Sequence, residues 1–367
     1  MKIAANVLLA FLEPVFRFSQ KNPVFPIQEC VYLRSEAGAL TATVIGSGNG
    51  IRRTLNVKSS DLPIEVACPV EMLQPTLREL GEREITLEQS GNHLVLTDEN
   101  GSYKINGESI ADFPRLHTLK DRFDTFSLNG RALKRAIDSV VFSVSSDELR
   151  PAMCGIYLEA DSAVVNSVAT DGHQIAVRKN EELKLPSSII LHRESARLLS
   201  TILDTDAIDC QIQDNNLVIR TSDTEAFGLL VSDTFPAYKM VMPSYEAPCR
   251  VMIPKAKLTG SVKRAGVYSD KSQRAVVLEI TGQSMRVISR FEEQERTSEE
   301  TLSVDHSGPD MKIAFNTERL LQVISATPVS DKEDVVLEFD APNKGGYVRA
   351  ENAPEFKSLL MPLQIAL

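Results

Sequence analysis

The sequence predicts an α+β fold of three similar units, and three observations predict it. Elements of one kind recur in one order at a spacing close to a third of the 367 residues. Segments with helical spacing are followed by several short strand-like runs, not by the single strands of a βαβ series. In each third an alternating pair of runs surrounds a polar turn, the mark of an antiparallel hairpin.

The first helical segment of each third stops at an aromatic–serine pair: Phe18-Ser19, Phe142-Ser143 and Tyr268-Ser269, spaced by 124 and 126 residues. A strand-like run follows each, at Cys30-Val-Tyr-Leu33, Gly155-Ile-Tyr-Leu158 and Ala275-Val-Val-Leu278. Second helical segments lie at 71–80, 194–203 and 318–327, spaced by 123 and 124. The hairpins are EITLEQSGNHLVLTD from Glu84, AIDCQIQDNNLVIRTSD from Ala207 and VVLEFDAPNKGGYVRAE from Val335. Two Phe-Pro boundaries, Asp112-Phe-Pro-Arg115 and Thr234-Phe-Pro-Ala237, mark the joints, because proline stops regular structure. The expected domains are 1–120, 121–243 and 244–367. Pro14 and Pro75 are expected to kink or shorten the helices of the first third.

Composition narrows the classes. Apolar residues make up 43% and charged residues 25%, which excludes a disordered or collagen-like chain. No run of about 18 apolar residues occurs, so no transmembrane helix and no membrane partner is expected. Lys2 and the apolar residues 7–12 faintly resemble a secretory leader. Glu13 and Pro14 interrupt them and no small-x-small site follows, so secretion is not expected. Five scattered cysteines form no CxxC pair and no disulfide framework, and a reducing cytoplasm is the natural setting.

A net charge of −10 and a pI near 5.2 argue at first against a nucleic-acid partner. Charge placement argues the other way. In the segment 129–144, Leu133, Ala136, Ile137 and Val140 form one apolar stripe. Arg131, Lys134 and Arg135 lie about 100° to 200° away from it, on the solvent side. One such face is an ordinary solvated helix surface. Across the six helical segments with their flanks, 4–19, 69–80, 128–145, 192–203, 255–268 and 316–327, however, the charges total +6, leaving −16 for the remainder. Positive charge gathered on one class of element can attract phosphate while an acidic exterior repels nucleic acid elsewhere. No zinc-finger spacing or basic zipper occurs, Trp is absent and aromatics are 6%. Any contact with DNA should therefore run through phosphates, without sequence preference.

Catalytic and cofactor motifs fail on inspection. Gly46-Ser-Gly48-Asn-Gly50 lacks the third glycine of a dinucleotide fingerprint, and an alternating strand pattern follows it, so a hairpin turn is expected. The five histidines form no HExxH and no Cys/His ligand spacing, so neither a metal site nor a cofactor is expected. Thr170-Asp171-Gly172-His173 could contribute to a hydrolytic triad, but no GxSxG elbow accompanies it, and Asp-Gly is first a turn dipeptide.

The stretch FSVSSDELRPAMCGIYLEADSAVVNSVATDGHQIAVRK (142–179) resembles the bacterial DNA sliding clamps, the beta subunits of DNA polymerase III. Phe235-Pro-Ala-Tyr-Lys-Met-Val-Met-Pro243 and the terminal Leu359-Leu-Met-Pro-Leu363 are similar to that family's second joint and C-terminal motif. The resemblance implies three clamp-type domains with helices on one face of antiparallel sheets. Two chains would close head to tail into a ring, with six helices from each lining the hole. It implies a processivity factor without catalysis that encircles duplex DNA and binds short peptides of the polymerase, the clamp loader and repair proteins.

Carried over by position, the peptide pocket would use Met153, Thr170, Gly172, His173, Gln174, Ile175, Pro236, Met240, Val241, Leu359, Met361, Pro362 and Leu363. Apolar, adaptable side chains around a few turn residues suit Leu and Phe anchors. The alternative for the terminal Leu359-Leu-Met-Pro-Leu363 is an ordinary last strand in the core, and the pocket is the preferred reading. DNA-facing residues would be Lys21, Arg131, Lys134, Arg135, Arg150, Arg193, Arg197, Lys257, Lys263 and Arg264. The subunit joint would use Tyr103 and Ile105 with Val267 and Tyr268. Gln174, Met240 and Gln364 stand where many members carry arginine, which shifts the pocket toward apolar contacts. Asn22, Asp147, Pro151 and Ala152 replace more basic or aromatic residues near the DNA loops. A repeat-built interaction scaffold without DNA encirclement is the alternative.

Overall fold

The structure, a computed structural model, describes residues 1–57, 63–161, 163–242 and 247–364. The expected domain end at residue 243 lies outside them. The chain gathers into two compact units, 1–134 with 194–231, and 135–193 with 232–367. Among the described residues the helices are α1 (Ala5–Phe16), α2 (Val70–Leu80), α3 (Gly130–Asp138), α4 (Arg193–Ser200), α5 (Lys255–Tyr268) and α6 (Thr317–Ala326). The division passes within α3 and at the first residue of α4.

The first unit holds two antiparallel sheets. The smaller one runs Lys2–Ala4, Glu84–Ser90, His93–Thr97, Ser102–Asn106. The larger runs Glu65–Pro69, Cys30–Glu36, Ala39–Ile45, Asn49–Asn56, Thr224–Leu229, Asn216–Arg220, Ile208–Gln213, Phe126–Leu128. At its centre Ala226 pairs with Ile51, which joins strands of the first and second repeats. Two ion pairs flank this joint, Arg53 with Asp223 at 2.5 Å and Arg52 with Glu225. Helix α1 packs on Ala39–Ile45 and Asn49–Asn56, burying Leu8, Phe11, Leu12 and Val15. As expected, Gly46 sits in a hairpin turn, its N–H donating to Asn49 O at 2.9 Å.

The second unit repeats the plan. Its large sheet runs Ile189–His192, Gly155–Asp161, Val164–Thr170, Gln174–Asn180, Phe356–Leu360, Gly346–Arg349, Asp334–Phe339, Cys249–Pro254, Asp305–Ser307. A smaller sheet runs Arg296–Ser303, Ser284–Phe291, Ala275–Thr281, Met311–Asn316. Helices α5 and α6 pack together, and Leu258, Val262, Leu320, Val323 and Ile324 meet Phe315 and Phe339 in one core. Each such side chain stabilises the unit by roughly 1.5–3 kcal/mol on leaving water. Asn316 caps α6, its side-chain oxygen accepting from the N–H groups of Glu318 and Arg319 at 3.1 Å.

Pro14 and Pro75 both lie inside helices; α1 ends at Phe16, ahead of the expected Phe18-Ser19 stop, whereas α2 reaches Leu80 as expected. Val70, Leu73, Leu77 and Leu80 are all buried, and that packing offsets the hydrogen bond the proline cannot make. Helix α3 ends at Asp138, short of residue 144, and a 3₁₀ turn follows at Val141–Ser143. Ser139 Oγ turns back to donate to Ala136 O at 3.1 Å, and two β-branched valines come next. The predicted stripe of Leu133, Ala136, Ile137 and Val140 is nonetheless fully buried.

Candidate functional site

The second unit carries a groove of about 790 Å³. Its floor follows from strand register: Ile175 pairs with Leu359, so the two side chains are neighbours on one sheet face. Met361 continues the ladder, its N–H donating to His173 O at 2.8 Å. Leu359 thus belongs to the core strand and to the groove at once, being 2% exposed.

One end of the groove is the turn 170–173. Asp171 Oδ1 accepts from the N–H groups of His173 and Gln174, both at 2.8 Å, while Oδ2 accepts from Arg319 Nε of α6 at 3.1 Å. Thr170 Oγ1 accepts from Gly172 N–H at 3.1 Å and donates to Gln174 O at 2.8 Å. Gly172 has φ +87°, the left-handed region that glycine favours. These bonds make the Thr-Asp-Gly-His cluster a built turn; the Asp171 carboxylate is spent on backbone N–H groups and a guanidinium, not on an imidazole.

The other walls come from three separate segments. Met153 stands on the 3₁₀ turn Pro151–Cys154. Pro236, Met240 and Val241 belong to a short irregular segment, with Met240 87% and Val241 59% exposed. The hairpin turn with Asp340, Asn343, Lys344 and Gly345 closes the far side. Gln174 also lines the groove, its Nε2 donating to Gln322 Oε1 at 3.1 Å. Groove charges are paired: Arg150 Nε with Asp147 Oδ2 at 2.8 Å, and Lys344 with Asp340. Hydrogen bonding from Arg150 first, then from Leu149 N–H, holds the Asp147 carboxyl below its usual range. The result is an apolar trough with a neutral polar border, suited to leucine- or phenylalanine-sized anchors.

Eleven of the thirteen expected groove residues line it, and Pro362 and Leu363 do not. The chain leaves the groove after Met361, and Leu363 N–H donates instead to Ala314 O at 2.8 Å. Arg150, expected to face DNA, lines the groove. Tyr238 and the residues of the 340–345 turn were missed by position-wise transfer; the sequence marked that turn only as polar.

The remaining basic residues are surface groups. Arg131 pairs with Asp206 at 2.8 Å, Lys134 with Asp204 at 2.7 Å and Arg135 with Glu182 at 2.5 Å. Arg197 pairs with Glu194 at 3.5 Å and Arg264 with Glu300 at 2.6 Å, while Arg193 donates to Ser145 O at 3.2 Å. Lys21, Lys257 and Lys263 are exposed. Exposed pairs of this kind are worth about 0–1 kcal/mol. The helical excess sits in α3, α4 and α5, at +2, +1 and +4, against −1 each for α1 and α2. Tyr103 is 37% exposed on the edge strand Ser102–Asn106, whereas Ile105 is 4% exposed and packs into its own unit. Val267 and Tyr268, at the end of α5, are 73% and 42% exposed.

A repeated order of helices and antiparallel sheets that carries an apolar groove defines a repeat-built α+β protein. Comparison with known proteins is specific. The central domain of the DNA polymerase III beta subunit matches residues 127–237, and the C-terminal domain matches 239–364. The beta sliding clamp of Salmonella typhimurium is 28% identical over 298 residues, covering 74% of this chain and 79% of that protein. The Buchnera aphidicola clamp is 24% identical over 355 residues, covering 95% of each. The crystal structure of the Pseudomonas aeruginosa DNA polymerase III subunit beta superposes with TM-score 0.88 at 21% identity, covering 100% of both chains. That of Thermotoga maritima gives 0.89 at 20% identity, covering 100% and 99%. The chain belongs to the DNA polymerase III beta subunit family, the bacterial DNA sliding clamps, and is a processivity factor and not an enzyme.

Proposed function

We propose that two copies of this chain close head to tail around duplex DNA, each contributing domains 1–120, 121–243 and 244–367, and that the groove docks short peptides of the polymerase and its helpers. The observation that carries the reading is the family match over 127–237 and 239–364, together with the fold of whole clamps. Two sheet edges without a strand partner among the described residues support the closure: Ser102–Asn106 in one unit and Arg296–Ser303 in the other. An edge strand is a template for another chain, and a heterologous joint that closes after two copies uses both. Tyr103, Val267 and Tyr268 supply exposed apolar surface for that joint.

Encirclement explains how an acidic protein works on DNA. A ring needs only weak, sequence-independent phosphate contacts, which α3, α4 and α5 supply, since topology prevents escape. The proposed setting is the cytoplasm: all five thiols are free and buried, and no helix among the described residues is long and apolar enough to cross a membrane. A scaffold without DNA encirclement is not favoured by the family match. The test loads the protein onto circular duplex with its loading machinery and then linearises the circle. Retention on the circle and loss from the linear form are expected; equal retention on both would reject the ring.

A further inference from the structure

The groove wall at 235–241 has only one 3₁₀ turn, Tyr238–Met240, yet it presents the most exposed apolar side chains of the site. A short irregular segment has little packing of its own to hold such a rim in place. What holds it lies on the strand Gly155–Asp161. The Phe235 ring stacks on Tyr157, with centroids 4.9 Å apart and planes at 15°. Tyr238 Oη donates to Glu159 Oε2 at 2.7 Å, and Lys239 Nζ donates to Glu159 Oε1 at 2.7 Å. Asn166, directly across the strand pair, donates its Nδ2 to the same Oε2 at 3.1 Å. Both carboxylate oxygens are therefore occupied, and the Glu159 side chain is only 18% exposed.

We infer that Glu159 is a positioning residue for peptide docking, the tether that fixes the Pro236–Val241 wall at the spacing the groove requires. The inference rests on the groove being the peptide site proposed above. Glu159 touches no occupant; it acts through Tyr238, which lines the groove and is 7% exposed. Charge-assisted bonds in a half-dry setting are stronger than neutral surface ones, and two of them converge on consecutive wall residues. Titration agrees with the geometry. Burial raises the Glu159 carboxyl, but hydrogen bonds from Lys239, Tyr238 and Asn166 outweigh it and leave it below its usual range. Burial, then the same carboxylate, pushes the Tyr238 hydroxyl upward.

The test compares the full chain with Glu159→Ala, Glu159→Gln and a surface control, Glu181→Ala, whose carboxylate pairs with Lys179. The probe is a short labelled peptide carrying Leu and Phe anchors, followed by fluorescence anisotropy. Glu159→Ala should weaken binding about tenfold and Glu159→Gln, which keeps an acceptor for Tyr238, roughly threefold. The control should bind as the wild type. In the absence of peptide, hydrogen exchange at the Met240 and Val241 amides should quicken in Glu159→Ala while the unit's core strands stay protected. Unchanged affinity in Glu159→Ala would overturn the inference. So would losses that merely follow a general fall in thermal stability with exchange faster throughout. If the wild-type chain itself fails to bind the probe, the groove reading falls, and the exchange arm alone decides: faster exchange at 240 and 241 supports the tether, unchanged exchange refutes it.

Discussion

At the scale of single residues, Gly172 sets the shape of the groove. Its φ of +87° lets the chain turn at the trough's end, and a Cβ there would stand 3.1 Å from Arg150 Nη1 and 3.5 Å from Met153 Cε. Gly172→Ala should cost about 1–2 kcal/mol from backbone strain and also lower peptide affinity, because the methyl enters the trough. Urea unfolding and peptide titration check this, and an unmoved unfolding midpoint would contradict it. The polarity of this turn was legible, since Asp-Gly is a turn dipeptide and Thr170 and Asp171 are its natural hydrogen-bonding partners. The place of Arg150 was not. Its sequence neighbours belong to a loop, and only the fold brings its guanidinium beside Gly172 and the groove. The residues of the 340–345 turn were hidden for a related reason. Tyr347 pairs with Leu359, and that register carries their turn to the groove.

At the scale of elements, helix periodicity and hairpin alternation were readable because both are local. The buried stripe of α3 and the three hairpins lie where the spacing puts them. Helix ends were less legible: Ser139 back-bonding and the valines after it stop α3 early, and competition of this kind leaves no periodic signal. Pairing between repeats was not legible at all. Ala226 meets Ile51, and Ile175 meets Leu359, through edges whose partners lie more than a hundred residues away. The exposed face of α3 has its own test. Arg131, Lys134 and Arg135 changed together to Gln should weaken binding to short linear duplex and flatten its salt dependence, with the particle mass unchanged. The pairs these residues now make, with Asp206, Asp204 and Glu182, are surface pairs that phosphate can displace. An unaltered affinity would remove α3 from the DNA-facing surface.

At the scale of the whole molecule, an acidic chain with a pI near 5.2 keeps its positive excess on α3, α4 and α5. That segregation makes sense if those helices share an enclosed face and the acidic remainder faces outward, where it repels DNA that is not threaded. Low affinity is then an advantage, because a clamp must slide. The proposed ring turns on a joint between copies, at which the sheet edges Ser102–Asn106 and Arg296–Ser303 would find partners beside Tyr103, Val267 and Tyr268. The most direct measurement is the particle mass in solution over a range of concentrations. Two chains of 40.5 kDa each are expected, in a particle that persists on dilution; a single chain at every concentration would contradict the closed ring.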